Sequence, residues 1–134
     1  MKRRNKILTS GGIVVLAAIC FYVFFPILIA PPLPFYHIEN NDVNNHEVVV
    51  KVFDQDNKTI FKKTHMLGPK EEIRQSKPFL LKFTWPEGEY TFKVTLDSEI
   101  TKTYETKMYP TLMVVIRLYH GEINPIISIG AVVV

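Results

Sequence analysis

The chain changes pattern once. From Ile13 to Ala30 it carries no charged residue, and the uncharged stretch extends backwards to Ile7. Beyond Phe35 apolar and polar positions alternate. The first part predicts a transmembrane α-helix over 7–30, because about 20 apolar residues span a bilayer and a helix satisfies its own backbone polar groups there. The second part predicts strands. Tyr90, Phe92, Val94 and Leu96 alternate with Glu89, Thr91, Lys93, Thr95 and Asp97. Val48, Val50 and Val52 alternate with Glu47, Val49 and Lys51. Phe79, Leu81, Phe83 and Trp85 share one face, and Leu112, Val114, Ile116 and Leu118 share another.

Turn signals separate these runs at Asp54-Gln55-Asp56-Asn57, Leu67-Gly68-Pro69, Pro86-Glu87-Gly88 and Asp97-Ser98. The pattern predicts about seven or eight strands, at 35–40, 46–53, 58–66, 79–85, 89–97, 99–107, 111–119 and 123–132. So many short strands in one stretch predict an all-β external domain over 35–134, an immunoglobulin-like β-sandwich. Residues 1–6 form a cytoplasmic basic tail. Pro31-Pro32-Leu33-Pro34, at 31–34, is a stiff proline spacer.

Charge supplies the orientation. Lys2, Arg3, Arg4 and Lys6 precede the apolar run, and all 13 acidic residues follow it. The formal charge of +3 therefore reflects topology: basic residues stay in the cytoplasm, so the N-terminus is cytoplasmic and the remainder extracytoplasmic. The rest of the chain holds 12 basic against 13 acidic residues, which excludes nucleic acid as a partner. Cys20, the single cysteine, lies inside the apolar run, so packing and not a disulfide must hold the external domain.

A signal peptidase wants small residues before its cut, and Leu28 stands two before Ala30, with Pro31 after it. A lipoprotein cysteine wants a small residue before it, and Ile19 precedes Cys20. The reading is an uncleaved signal-anchor in the cell membrane. The alternative is a minor pilin-like or self-assembling surface subunit, cut after Gly12. Against it, Ala17 stands where such subunits resemble one another in carrying a glutamate, and Pro26 with the later prolines is expected to end the helix early.

A resemblance covers most of 36–119. Tyr36-His37-Ile38-Glu39-Asn40-Asn41-Asp42, His46 to Asp54, Leu67-Gly68-Pro69-Lys70-Glu71-Glu72 and Gly88 to Asp97 resemble archaeal-type membrane-anchored surface proteins with a CARDB-like, immunoglobulin-like domain. The resemblance implies a fold and a surface location and carries over no functional residue.

Candidate chemistry is sparse. No G-x-S-x-G or H-E-x-x-H motif occurs, and the expectation is no enzyme, no catalytic residue and no cofactor. His37, His46, His65 and His120 lack the close spacing of metal ligands, the nearest two being nine apart. They read as surface or strand-end residues, so no metal site is expected and a metal-handling envelope protein is the last reading. Asn57-Lys58-Thr59 fits an N-glycosylation acceptor at a turn, with Asn57 as the modified residue.

The apolar end, Ile123 to Val134, is too short for a second span. It reads either as a last strand, covered on both faces or packed late into the sandwich, or as an edge, with Ile127, Ile129, Ala131 and Val133 offered to a partner strand. The partners expected are the lipid bilayer through the helix, and an envelope protein or a second copy through that edge. The function expected is a non-enzymatic interaction module.

Overall fold

The computed structural model describes residues 2–29, 34–78, 88–109 and 111–133; within the helix, side chains are described from Thr9 to Phe25. The chain divides into two units, Met1–Pro32 and Leu33–Val134.

The first unit holds one helix, α1 (Lys2–Ile29). Pro26 does not stop it, contrary to expectation: a proline in the last turn forfeits one backbone hydrogen bond, and the helix runs on to Ile29. Ile13, Val14, Val15 and Leu16 are all exposed, as are the five residues from Phe21 to Phe25. Consecutive exposed apolar side chains mean that every side of the helix is apolar. Among the described residues no helix is long and apolar enough to cross a membrane.

Among the described residues the second unit is a sandwich of two four-stranded sheets. Its strands are β1 (Pro34–Asn40), β2 (His46–Phe53), β3 (Thr59–Leu67), β4 (Glu72–Ser76), β5 (Glu89–Leu96), β6 (Ile100–Lys107), β7 (Leu112–Tyr119) and β8 (Ile126–Val133). One sheet has the order β4-β1-β7-β8, the other β3-β2-β5-β6. All pairs are antiparallel except β1 with β7.

The alternation explains the packing. Val48, Val50 and Val52 on β2 and Phe92, Val94 and Leu96 on β5 are fully buried, and face Ile38, Val114, Ile116 and Leu118 from the other sheet. A bulge between Pro34 and Tyr36 lets two consecutive aromatics, Phe35 and Tyr36, both enter the core. Phe35 meets Phe61 edge-on at 5.5 Å and Phe92 at 5.3 Å between ring centres.

The expected strand at 79–85 lies outside the described residues. β4 was not expected: only Ile73 of its five residues is apolar, and as an outer strand it has little else to bury.

Candidate functional site

Strand directions gather four connections at one end of the sandwich: 41–45, 68–71, 97–99 and 120–125. The chain enters the domain at the opposite end, at Pro34, about 20 Å away along β1.

Hydrogen bonds tie these connections together. Asn40, buried at the end of β1, donates from Nδ2 to the carbonyls of Asn44 and Gly68, each at 2.9 Å, and its Oδ1 accepts from the Asp42 amide at 3.0 Å. Both polar ends of one buried amide are thus satisfied. Asp97 and Ser98 have φ of 50° and 59°, and Glu99 N donates to Leu96 O at 3.0 Å. Two successive left-handed residues make a primed turn, here within the three-residue loop that joins β5 to β6. It directs Asp97 back towards β2, where Oδ1 accepts from Glu47 N at 2.8 Å.

At the centre sits His46, 5% exposed. Its Nδ1 lies 2.6 Å from Asp97 Oδ2 and its Nε2 lies 2.7 Å from Asp42 Oδ2. Both partners accept only, so both ring nitrogens donate and His46 is an imidazolium. Burial works to lower its pKa and is the largest single influence, but the hydrogen bonds and charges of Asp97 and Asp42 together raise it. The hydrogen bond from His46, with lesser ones from Val43 N and His120, holds Asp42 at about 2 against the opposing effect of burial. His120 Nδ1 reaches Asp42 Oδ1 at 3.0 Å, joining the end of β7 to the same carboxylate.

His46 opens β2 and His120 is exposed just after β7, as expected of strand-end or surface residues, whereas His37 and His65 are buried within β1 and β3 and correct that expectation. His37, His46 and His65 are buried, and His120 alone is exposed. His37 Nε2 faces Glu39 at 3.1 Å, and its Nδ1 is buried with no hydrogen-bond partner among the described residues. His65 Nε2 and Tyr36 Oη share a proton at 2.6 Å inside the core. Burial, then Lys63, lowers the His65 pKa, and burial raises that of Tyr36, so both are neutral. Among the described residues no group of three or more histidine, cysteine or acidic side chains could hold a metal ion. His46 has no lone pair left to serve as ligand or base.

The connections at this end display apolar side chains. Val43 is 64% exposed and Ile123 is 92% exposed, with Ile126 and Tyr119 beside Ile123 along the chain. A side chain at Gly121 would run into the Asn124 carbonyl, so the turn carrying Ile123 closes tightly. Sequence reading placed Ile123 inside a strand and passed over Val43.

The residues named from sequence lie apart from this end. Asn57 sits exposed in the β2–β3 turn with φ 58°, a conformation that asparagine tolerates well. β8 is an outermost strand that packs onto the sandwich through one face, as one form of the expectation had it, and is not buried on both faces. Ile127 is buried, Ile129 and Ala131 pack partly against the core, and Val133 is exposed. No protein-family model matches the chain, and no curated protein does.

The sandwich's two open sides are guarded alike. Lys63 on β3 and Lys102 on β6 stand at opposite ends of one row across the sheet, with Val50 and Val94 between them. Each crosses to the outermost strand of the other sheet. Lys63 Nζ donates to Gln75 Oε1 at 2.7 Å, and Lys102 Nζ donates to the Ile127 carbonyl at 3.0 Å. Lysines turned inward on outer strands oppose edge-to-edge pairing. Replacing both by leucine is expected to tighten self-association roughly tenfold, worth about 1.4 kcal/mol, by sedimentation in detergent. An unchanged distribution would remove the guarding role.

Proposed function

We propose that the chain is a single-pass membrane protein with a cytoplasmic N-terminus, presenting an immunoglobulin-like β-sandwich outside the membrane as a non-enzymatic interaction module. The observation that carries the reading is the opening segment. Four basic residues precede an uncharged run that continues in sequence to Ala30, and the described part of α1 is apolar on every side. Such a helix in a small chain needs an apolar surrounding. The immunoglobulin-like assignment draws on two packed sheets and on the β2–β3 and β5–β6 hairpins within one of them.

The binding surface in this reading is the end opposite Pro34. Asp42, held by His46, ties down Val43 through its amide and the connection that carries Ile123 through His120, which lowers the entropy lost when an apolar partner settles there. Asn57, away from that end, would carry a glycan without obstructing it. The second reading, a self-assembling or pilin-like subunit, is favoured by the outer position of β8.

Full-length tagged protein crosslinked in intact membranes tests both parts. The protein is expected to remain in the pellet after an alkaline carbonate wash, crosslinked to one recurrent envelope protein. Ile123→Asp should reduce that crosslink at least tenfold with the melting temperature unchanged. Release by carbonate would sink the anchor, and exclusively self-crosslinked species would favour the subunit reading.

A further inference from the structure

The outer face of the β3-β2-β5-β6 sheet carries a row that an isolated domain has no reason to keep. Lys51 pairs with Lys62 on one side and with Lys93 on the other. Their neighbours Val50, Val52, Phe92 and Val94 point into the core, so the three lysines project outwards together. Adjacent strands lie about 4.8 Å apart, which places three positive charges within about 10 Å. Like charges directly opposite destabilise a sheet. Among the described residues no carboxylate forms an ion pair with any of the three. The other sheet handles charge differently: on its outer face Arg117 pairs with Glu39 at 2.8 Å across neighbouring strands.

The row continues into Thr103 and is flanked by Thr64, Val49 and Thr95 on one side and by half-buried Phe53, Thr91 and Glu105 on the other, Glu105 being the one carboxylate in these three rows. Ammonium groups, hydroxyls and one aromatic ring on a flat sheet suit an extended, ring-built, hydroxyl-rich polyanion. A protein partner fits worse, because lysine is depleted from the centres of protein interfaces. We infer that this face docks an anionic polysaccharide bearing carboxylate groups, with Lys51, Lys62 and Lys93 supplying the charge. The extracytoplasmic reading enters only in saying where such a polymer is met.

The full chain in non-ionic detergent, titrated with polygalacturonate, gives the test, and binding there does not depend on the anchor being correct. Binding is expected at low ionic strength, weakening steeply towards ~0.15 M salt. The Lys51→Gln/Lys62→Gln/Lys93→Gln variant should bind roughly tenfold more weakly or worse. A charge-matched control, Lys58→Gln/Arg74→Gln/Lys107→Gln, should lose no more than about twofold. Lys51→Glu should abolish binding while raising the melting temperature by about 2–4 °C, since it separates the two remaining like charges. No binding to the polymer, equal losses in the triple and its control, or tighter binding to polyglutamate would each overturn the assignment.

Discussion

Replacing His46 by alanine is expected to cost the domain about 3 kcal/mol at mildly acidic pH, because it strands buried Asp42 and removes the link between β2 and the Asp97 turn. In a domain of this size that lowers the melting temperature by roughly 10–20 °C. His46→Gln should fall between the two, since an amide donates from one end only. The pH profile has a determined sign. The His46 pKa is raised, so its contribution is fully present below the ordinary value of about 6.5 and is lost as pH rises through the raised value. The His65 pKa is lowered, so its contribution is present above about 6.5 and is lost as pH falls through the lowered value. Stability should therefore peak near pH ~6.5 and decline on both sides. Asp42 adds a further loss only in strong acid, as pH falls below its ordinary ~3.9 and through about 2. Melting followed by circular dichroism across this range checks the assignment. In His46→Ala the decline on the alkaline side should vanish; a drop of equal size at every pH would mean that His46 acts only by filling space.

Much of the sandwich was legible because β2 and β5 bury every second residue and leave the others open, while β1 and β7 add buried neighbours to the same alternation. β1, β2, β5, β6 and β7 fall within about a residue of the spans read from alternation, as the two-residue period requires. The method fails where a strand buries little. β4 contributes Ile73 alone to the core, and its other half-buried position is the polar Gln75, so no apolar alternation marks it. β8 begins at Ile126, three residues later than read, because apolar Ile123 belongs to an exposed turn and looks like strand.

The polar cluster was legible only in fragments. Asp97-Ser98 reads as a turn, but its carboxylate meets a histidine 51 residues earlier, and Asp42 meets His120 across 78 residues. No local period encodes such contacts; they follow from which strand lies beside which. The same holds for the lysine row. Lys51, Lys62 and Lys93 are unremarkable one at a time, and only the register of β2 with β3 and β5 makes them neighbours. The fold is thus written in a local pattern, whereas both surfaces proposed to act are written in strand pairing.

That dependence on pairing makes the first strand the most sensitive place in the domain, and Phe35→Ala is expected to cost about 4 kcal/mol. The bulge after Pro34 turns Phe35 inward beside Tyr36, and the ring fills the space between Phe61 on one sheet edge and Phe92 at the sheet centre. Phe35 is fully buried, so its loss leaves a cavity lined by three aromatic rings that are fixed by their own strands and cannot all close in. Against a total stability of about 5–15 kcal/mol, that is a large fraction. Urea unfolding should show a lower midpoint with an unchanged slope, since the surface exposed on unfolding is nearly the same. Phe35→Leu, which keeps most of the volume, should lose about 1.5 kcal/mol. Phe61→Ala should cost less than Phe35→Ala, because Phe61 lies on an outer strand and is only half-buried. The reverse order would mean that the outer strand, and not the bulged first strand, anchors the core. In that case the guarded side beside Lys63, rather than the centre, would set the stability of the sandwich.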